Sequence, residues 1–299
     1  MVRPANEQKA VEEYWDSTPC GSESSNKNRE SRSYYLEIER LRYSHQPHIL
    51  SVLDKIDWRA KKILEVGTGV GTDARSIVAR GADYEGINVD HGSVAITAKA
   101  FSVFSVQGNV QKCSATALTY DNDTFDVVYS FGVLHHIPDV NQAVSEIYRV
   151  LKPGGEVLVM LYNKTSINYY VEIMFIRKVA LKLLLMPAIL RLLVRIGFPG
   201  DKLKRHVELY RSSESPTAQE WLSRNTDGPD NPYSRVYSEN EAAALFNQFH
   251  LIDNEVHFFD QTHWGVIGNL IPDSVRRWIG RKWGWHRIVH VKKPLADKV

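Results

Sequence analysis

The sequence predicts an α/β fold, a mostly parallel sheet with helices on both faces, and three observations carry that expectation. From Lys61 onward, short apolar β-type runs alternate with stretches of helical spacing, the pattern of successive βαβ units. A glycine-rich turn, Gly67-Thr-Gly69-Val-Gly71, follows the first of those runs directly. The same alternation resumes from Tyr233 after a long interruption. With 299 residues and 43% apolar side chains, the chain can fill one large domain with additions or two modest ones.

Strands are expected at 62–66, 84–89, 126–131 and 156–162, where apolar and β-branched residues cluster. Helical periodicity covers Thr72 to Ala79 and Gln142 to Val150, and Pro153-Gly154-Gly155 is expected to stop the second helix in a tight turn before the next strand. Ser238-Glu-Asn-Glu241 reads as a capping box, in which the serine accepts from a free backbone N–H and the glutamate reaches back, so a helix EAAALFNQF starts there. LIDNEVHFF and HRIVHVKK then read as a terminal hairpin-like pair of strands, joined by a Trp- and Arg-rich connection at 263–285.

Two regions stand outside this pattern. Residues 1–50 form an N-terminal helical cap in which a polar, Ser-rich loop separates two aromatic-rich helical stretches. It reads either as a docked extension or as a lid, since Tyr34, Tyr35, Arg42 and Tyr43 put rings and a cation on one segment. Residues 163–232 form a helical insertion or lid, leaving 51–162 and 233–299 as the sheet domain.

The insertion holds the most apolar stretch of the chain, yet Lys182 and Arg191 bracket only LLLMPAIL, and a membrane span needs about 20 nearly uncharged residues. Pro187 lacks a donor N–H and should split the stretch into two helices. Lys178/Lys182 and Arg191/Arg195 are each spaced to share one helical face, and Lys202, Lys204 and Arg205 follow. Such a basic amphipathic pair either packs on its own domain, or lets 168–197 rest peripherally on an anionic membrane surface or wall in an apolar substrate.

A formal charge of +2 gives no broad field of one sign, so a nucleic-acid partner is not expected; Arg276, Arg277, Arg281, Lys282, Lys292 and Lys293 leave RNA as a minor alternative. Cys20 and Cys113 are too few and too far apart for a disulfide framework or a zinc ribbon, and no metal is expected. The N-terminal residues lack the apolar core of a secretory signal, so a cytoplasmic protein is expected.

The glycine spacing bears on the ligand. A dinucleotide fingerprint has G-x-G-x-x-G, with a helix N-terminus aimed at a pyrophosphate; here Gly67, Gly69 and Gly71 are one residue apart with Glu65 before them, a compact turn suited to a ligand without a diphosphate. Nicotinamide oxidoreduction is disfavoured on that ground. At this point the chain resembles the class I S-adenosylmethionine-dependent methyltransferases. Their E/D-x-G-x-G-x-G motif stands as Glu65-Val-Gly67-Thr-Gly69-Val-Gly71, their strand-four motif as FDVVYSFGVLHHI (125–137), and their turn before strand five as RVLKPGG (149–155). YWDSTPCG and NPYSRVYSENEAAALF are similar, more loosely, to a bacterial small-molecule branch of that family.

The resemblance implies a Rossmann-like seven-stranded sheet with S-adenosyl-L-methionine across the carboxyl ends of strands one, two and four. On the family pattern the loop with Gly67, Thr68, Gly69 and Gly71 backs the methionine moiety, Glu65 lies beneath it, and Ser130 and Phe131 touch it from strand four. Asp73 is expected near the cofactor or capping the following helix. The family's ribose-binding acid falls on Asn88, beside Val89, and its adenine-binding acid on Ser114, beside Ala115. Both polar grips have lost their charge. Charge-assisted hydrogen bonds contribute about 1.5–3 kcal/mol against about 0.5–1.5 for neutral ones, so each change is expected to weaken binding by on the order of 1 kcal/mol unless Asp90 substitutes for Asn88.

The function implied is methyl transfer to a small, hydrophobic acceptor such as a natural product, a quinone-like or a lipid-like molecule. His136 and His135, just beyond strand four, are the candidate proton acceptors, His136 the stronger; Tyr14, Tyr34 and Tyr35 read as pocket walls. The Asn/Asp-Pro-Pro-aromatic motif of nucleic-acid amino methylation is absent after strand four, where Ser130-Phe-Gly-Val stands. The alternatives are a relative that binds the cofactor without turnover and serves as a partner, and an enzyme that uses it for cyclisation or another non-methylating reaction.

Overall fold

The computed structural model describes residues 4–195, 200–212, 216–261, 268 and 270–296. Part of the connection at 263–285, the end of the 168–197 stretch and the side chain of Lys202 lie outside the described residues. In chain order the elements are α1 (Pro4–Ser17), α2 (Arg32–His45), α3 (His48–Leu53), β1 (Lys62–Val66), α4 (Thr72–Ala79), β2 (Asp83–Asn88), α5 (His91–Phe104), β3 (Asn109–Lys112), β4 (Phe125–Phe131), a single 3-10 turn (Leu134–His136), α6 (Val140–Val150) and β5 (Leu151–Asn163). There follow a π-helix (Asn168–Ile176), α7 (Arg177–Leu184), α8 (Pro187–Arg195), α9 (Gly200–Ser212), α10 (Ala218–Arg224), β6 (Val236–Tyr237), α11 (Glu239–Leu245), β7 (His250–His257), α12 (Asp273–Trp283) and β8 (His286–Lys292).

The strands form one sheet in the order β3-β2-β1-β4-β5-β8-β7, with the two-residue β6 paired to β5 off that path. The expected seven strands are therefore present, with β6 as an eighth. β1 through β5 run parallel, and β8 is antiparallel to both β5 and β7, so the terminal pair is the hairpin-like addition read from the sequence. β1 and β4 are buried along nearly their whole length because helices cover both faces, which is why their sequences read as continuous apolar runs. α6 buries Val140, Ala143, Val144, Ile147 and Val150 on one face, and Asp139 caps it by accepting from Gln142 N.

Two local expectations meet the structure differently. The capping box forms as read: Ser238 Oγ accepts from Glu241 N while the Glu241 carboxylate accepts from Ser238 N. Pro153-Gly154-Gly155 does not make a turn between separate elements. β5 begins at Leu151, immediately after α6, and the three residues bulge within it, so that β4 pairs Phe125 with Leu151 and then Val127 with Glu156. Gly154 N and Lys293 N exchange hydrogen bonds with the backbone across the bulge, which keeps it attached to the chain beyond β8.

The chain runs outward through β1, β2 and β3, then returns to lay β4 on the other side of β1. That reversal opens a crevice at the carboxyl ends of β1, β2 and β4. α1 and α2 lie over it. Asp16 Oδ1 at the end of α1 accepts from His91 N and Gly92 N, both at 2.9 Å, satisfying free donors at the start of α5. A Cβ at Gly92 would stand 2.6 Å from the Asp16 carbonyl oxygen, so the contact depends on that glycine. Lys55, beyond α3, pairs with Asp253 and Glu255 of β7 and ties the segment that follows the cap to the far edge of the sheet.

Candidate active site

The crevice is a cavity of about 730 Å³, within the ~300–1,000 Å³ typical of small-molecule sites. Its floor is the turn between β1 and α4. Gly67, Gly69 and Gly71 all have positive φ, at 84°, 54° and 75°. A Cβ at Gly67 would run into the Val133 side chain, and one at Gly71 would stand 3.0 Å from Thr97 Cγ2, so the bare backbone is a packing requirement as well as a conformational one.

Asn88 turns out to lock this turn. Its Oδ1 accepts from Thr68 N at 3.0 Å, and its Nδ2 donates to Thr68 Oγ1 at 2.5 Å. Thr68 Oγ1 lies 2.8 Å from Thr97 Oγ1, which in turn donates to Gly69 O. A carboxylate at 88 cannot donate, so this chain of hydrogen bonds requires the amide. The Asn88 amide lines the cavity but is thus spent on the protein, and the carboxylate beside it in the lining is Asp90. Asp90 Oδ1 caps α5 by accepting from Ser93 N at 2.6 Å, and the residue lines the cleft beside Val89.

Glu65 lies at the cavity floor, almost wholly buried, and accepts from Tyr84 OH at 2.5 Å. Burial first, and Asp73 second, push its carboxyl up to about 8. Asp73 does not cap α4, whose N-cap is Gly71 without a side-chain bond. Arg42 from α2 grips it instead through Nε at 3.0 Å and Nη2 at 2.6 Å, and the hydroxyls of Tyr43 and Tyr129 add bonds of 3.1 and 3.0 Å. Burial disfavours the Arg42 cation, but Asp73 more than offsets this and holds it protonated. The guanidinium therefore fastens α2 to the glycine turn while lining the cleft.

Ser114 and Ala115 line the cavity on the β3 side, with Ser114 Oγ 2.8 Å from Thr116 Oγ1. Phe131 lines it from β4. Ser130 departs from the expectation: its side chain is fully buried and donates to Val66 O, because alternation along β4 turns it into the sheet.

The two histidines separate. His135 is fully buried, its ring tilted 30° against Tyr162 at 3.6 Å between centroids, and it does not line the cleft; burial first and His136 second hold it neutral. His136 does reach the cavity. Its Nδ1 lies 2.8 Å from Tyr233 O, which can only accept, so Nδ1 carries a proton; Ser234 Oγ is 3.1 Å away. Nε2 faces Asp227 Oδ2 at 3.3 Å. Tyr162 OH reaches both oxygens of that carboxylate at 3.0 and 2.9 Å. Burial would raise the Asp227 carboxyl, but the bonds from His136 and Tyr162 prevail and hold it below its ordinary value.

Asp227 had no signal in the sequence, since it lies in an unpatterned loop ninety-one positions beyond its histidine partner. The cap supplies further groups. Trp15 lines the cavity and meets His136 edge-on at 5.3 Å, and Tyr14 OH donates to Asp227 O at 2.6 Å. Burial first and Asp227 second push the Tyr14 hydroxyl up to about 12, which makes it a donor and not a base. Tyr34 and Tyr35 are core residues bonded to Ser22 O and Ile96 O, not pocket walls. Behind Asp227 lies a smaller polar compartment of about 200 Å³, and Gln46 borders both spaces. Among the described residues no cluster of metal-ligating side chains occurs.

Residues 64–159 match a protein-family profile described as a methyltransferase domain. The chain is 30% identical over 121 residues to the ubiquinone biosynthesis O-methyltransferase of Pseudomonas putida, an overlap of 40% of this chain and 52% of that protein. The chain thus spans about half the length of the curated relatives it matches. Among solved structures, the geranyl diphosphate C-methyltransferase of Streptomyces coelicolor, determined with Mg2+, geranyl diphosphate and S-adenosyl-L-homocysteine, superposes with a TM-score of 0.56 at 11% identity over 96% of this chain and 98% of that one. The [4+2]-cyclase SpnF superposes with a TM-score of 0.55 at 17% identity over 97% of each chain. At these identities the two structures share the fold.

Proposed function

We propose that the chain, whose residues 64–159 match a methyltransferase-domain profile, transfers the methyl group of S-adenosyl-L-methionine to a hydroxyl of a small, largely apolar acceptor held beneath α1 and α2. The observation that carries this reading is the convergence, on one cavity, of the glycine turn, Asp90 and the His136–Asp227 pair. The residues fit the cofactor: a turn free of Cβ atoms for close backbone approach, Glu65 and Asp90 for cationic and hydroxyl groups, and Ile87, Val89, Phe131 and Ala115 for an apolar ring. When bound, the cofactor supplies a sulfonium-activated methyl group.

The protein's own part is to position the acceptor and take its proton. Val11, Trp15, Leu41 and Val133 give the acceptor an apolar wall and exclude water from the cleft. With Nδ1–H committed to Tyr233 O, the neutral ring turns its Nε2 lone pair toward Asp227; the proton that the acceptor hydroxyl gives up is taken between Nε2 and the Asp227 carboxylate, which then hold it as a charged hydrogen bond. Tyr162 orients that carboxylate from the other side. The named relative that methylates an oxygen in ubiquinone biosynthesis supports a hydroxylated aromatic acceptor.

Calorimetry with S-adenosylhomocysteine tests the cofactor half of the reading. Saturable binding is expected, together with slowed maleimide labelling of Cys20, the exposed thiol at the cleft, while buried Cys113 stays unreactive. Mass spectrometry after incubation with S-adenosylmethionine and hydroxylated aromatics bearing apolar tails tests the transfer half, with a gain of one methyl expected. No heat with millimolar ligand would overturn the proposal. Binding and release of no demethylated cofactor would replace it with the non-methylating alternative.

A further inference from the structure

The insertion leaves an unusual surface uncovered. Phe175 is 66% exposed, Leu192 56%, Tyr170 55% and Met186 54%, and Val179 and Leu183 are also exposed. Phe175, Val179 and Leu183 follow one another at i, i+4 spacing, opposite the buried Leu181 and Leu184 that face the core. α8 buries none of its residues fully although six of its nine are Ala, Ile, Leu or Val, and it turns Arg191, Leu192, Val194 and Arg195 outward. Clustered apolar exposure of this kind marks an interaction surface.

Charge selects the partner. Between Tyr170 and Arg195 the chain has five cations, Arg177, Lys178, Lys182, Arg191 and Arg195, and a single acid, Glu172. Glu172 is buried and accepts from Arg177 Nε at 2.9 Å, so the outward face carries no anion. Lys182, Arg191 and Arg195 have no carboxylate within ion-pair distance among the described residues, and all three are exposed. We propose that the outward face of the π-helix, α7 and α8 docks in the plane of an anionic phospholipid bilayer.

An apolar stripe flanked by long cations suits that boundary, because Lys and Arg stems lie along apolar surface while their heads reach phosphates. No described helix is long and apolar enough to cross a membrane, and α7 and α8 are separated at Pro187, so the segment lies on the surface. A second copy of the chain is a poorer occupant: a two-fold contact would oppose this face to itself, cation against cation with no acid to pair. The inward side of the same π-helix supplies Asn168, Glu172 and Ile173 to the compartment behind Asp227, so docking would bring the bilayer close to the acceptor side of the site. The inference rests on this surface alone and does not require methyl transfer.

Co-sedimentation of the full chain with vesicles tests it. Binding is expected to vesicles of equal parts phosphatidylcholine and phosphatidylglycerol, weakening with salt, and at least about tenfold weaker binding to phosphatidylcholine alone. Lys182→Gln and Arg191→Gln should each weaken partitioning about fivefold, and Phe175→Glu should abolish it. S-adenosylhomocysteine calorimetry on the same variants reports whether they remain folded; should Phe175→Glu misfold, the two glutamine variants decide. Failure to bind anionic vesicles, binding that is indifferent to all three substitutions, or sedimentation equilibrium showing a dimer that Phe175→Glu dissolves, would each overturn the proposal. Methyl transfer failing while vesicle binding persists would leave this inference standing and refute only the activity.

Discussion

The two sides of the cleft are built on different principles. The cofactor side is mostly backbone: three glycines at positive φ and the carboxyl ends of parallel strands, with one asparagine that locks the turn and the Glu65 and Asp90 carboxylates beside it. The proposed acceptor side is side chains gathered from distant segments, Trp15 from α1, His136 from the turn after β4 and Asp227 from the loop after α10. A backbone cradle can be shared by proteins of different activity, whereas a side-chain assembly is specific to one acceptor.

Substituting one residue on each side should separate these contributions. Asp227→Asn keeps the volume but removes the charge that stabilises a proton on His136 and the oxygen pair that Tyr162 holds. The expected loss is about 10²–10⁴-fold in kcat, with an altered pH profile, while S-adenosylhomocysteine affinity by calorimetry stays within about twofold. Unchanged kcat would mean that the pair is structural and that the acceptor needs no base.

Gly67→Ala reverses the pattern. A residue at φ 84° is strained by roughly 1–2 kcal/mol, and its Cβ must also displace Val133, which lines the cleft. Cofactor affinity should fall about 10- to 100-fold, and kcat at saturating cofactor should fall less. Equal affinity in variant and wild type would show that ligand does not approach this turn.

Glu65 gives a smaller effect with a definite sign. Its carboxyl ordinarily titrates at 4.5 and is raised to about 8 in the folded chain, by burial first. The folded state therefore holds a proton that the unfolded state has lost, and stability falls as pH rises from 4.5 to 8. Glu65→Gln should raise Tm above pH 8 and leave it unchanged near pH 4. A cationic ligand favours the ionised form, so S-adenosylmethionine affinity should rise with pH up to about 8, by at most about tenfold per unit, and level off above it. Calorimetry in buffers of different ionisation heat would detect the proton released on binding.

These contrasts also explain what the sequence discloses. β1, α4, β4 and the Ser238 capping box are legible because each follows from local periodicity or a fixed short spacing. The positive φ angles at 67, 69 and 71 are legible because only glycine adopts them without strain. Asp227 is not, because nothing local distinguishes an aspartate in a loop from any other turn residue until folding sets it beside His136. Ser130 and His135 show a related limit: they belong to a motif by position, but the alternation of β4 and the tight turn after it aim both away from the cavity. The lid reading of residues 1–50 was undecidable from composition, since its outcome depends on the reach of Arg42 to Asp73 and of Asp16 to the start of α5.

The finest distinction concerns position 88. Read from the sequence, Asn88 is a lost acid, and restoring it should strengthen binding. In the structure the amide donates to Thr68 Oγ1, whose own hydrogen points to Thr97 Oγ1, which in turn donates to Gly69 O. An aspartate there sets acceptor against acceptor unless Thr68 turns its hydroxyl around, which breaks the bond to Thr97 and loosens the turn. Asn88→Asp is therefore expected to weaken S-adenosylhomocysteine binding, by about threefold, whereas Asp90→Asn should weaken it more, because Asp90 is the carboxylate left facing the cavity. Tighter binding by the Asn88→Asp protein would mean that the family's diol grip still operates from the end of β2, and that the hydrogen-bonded turn yields to it.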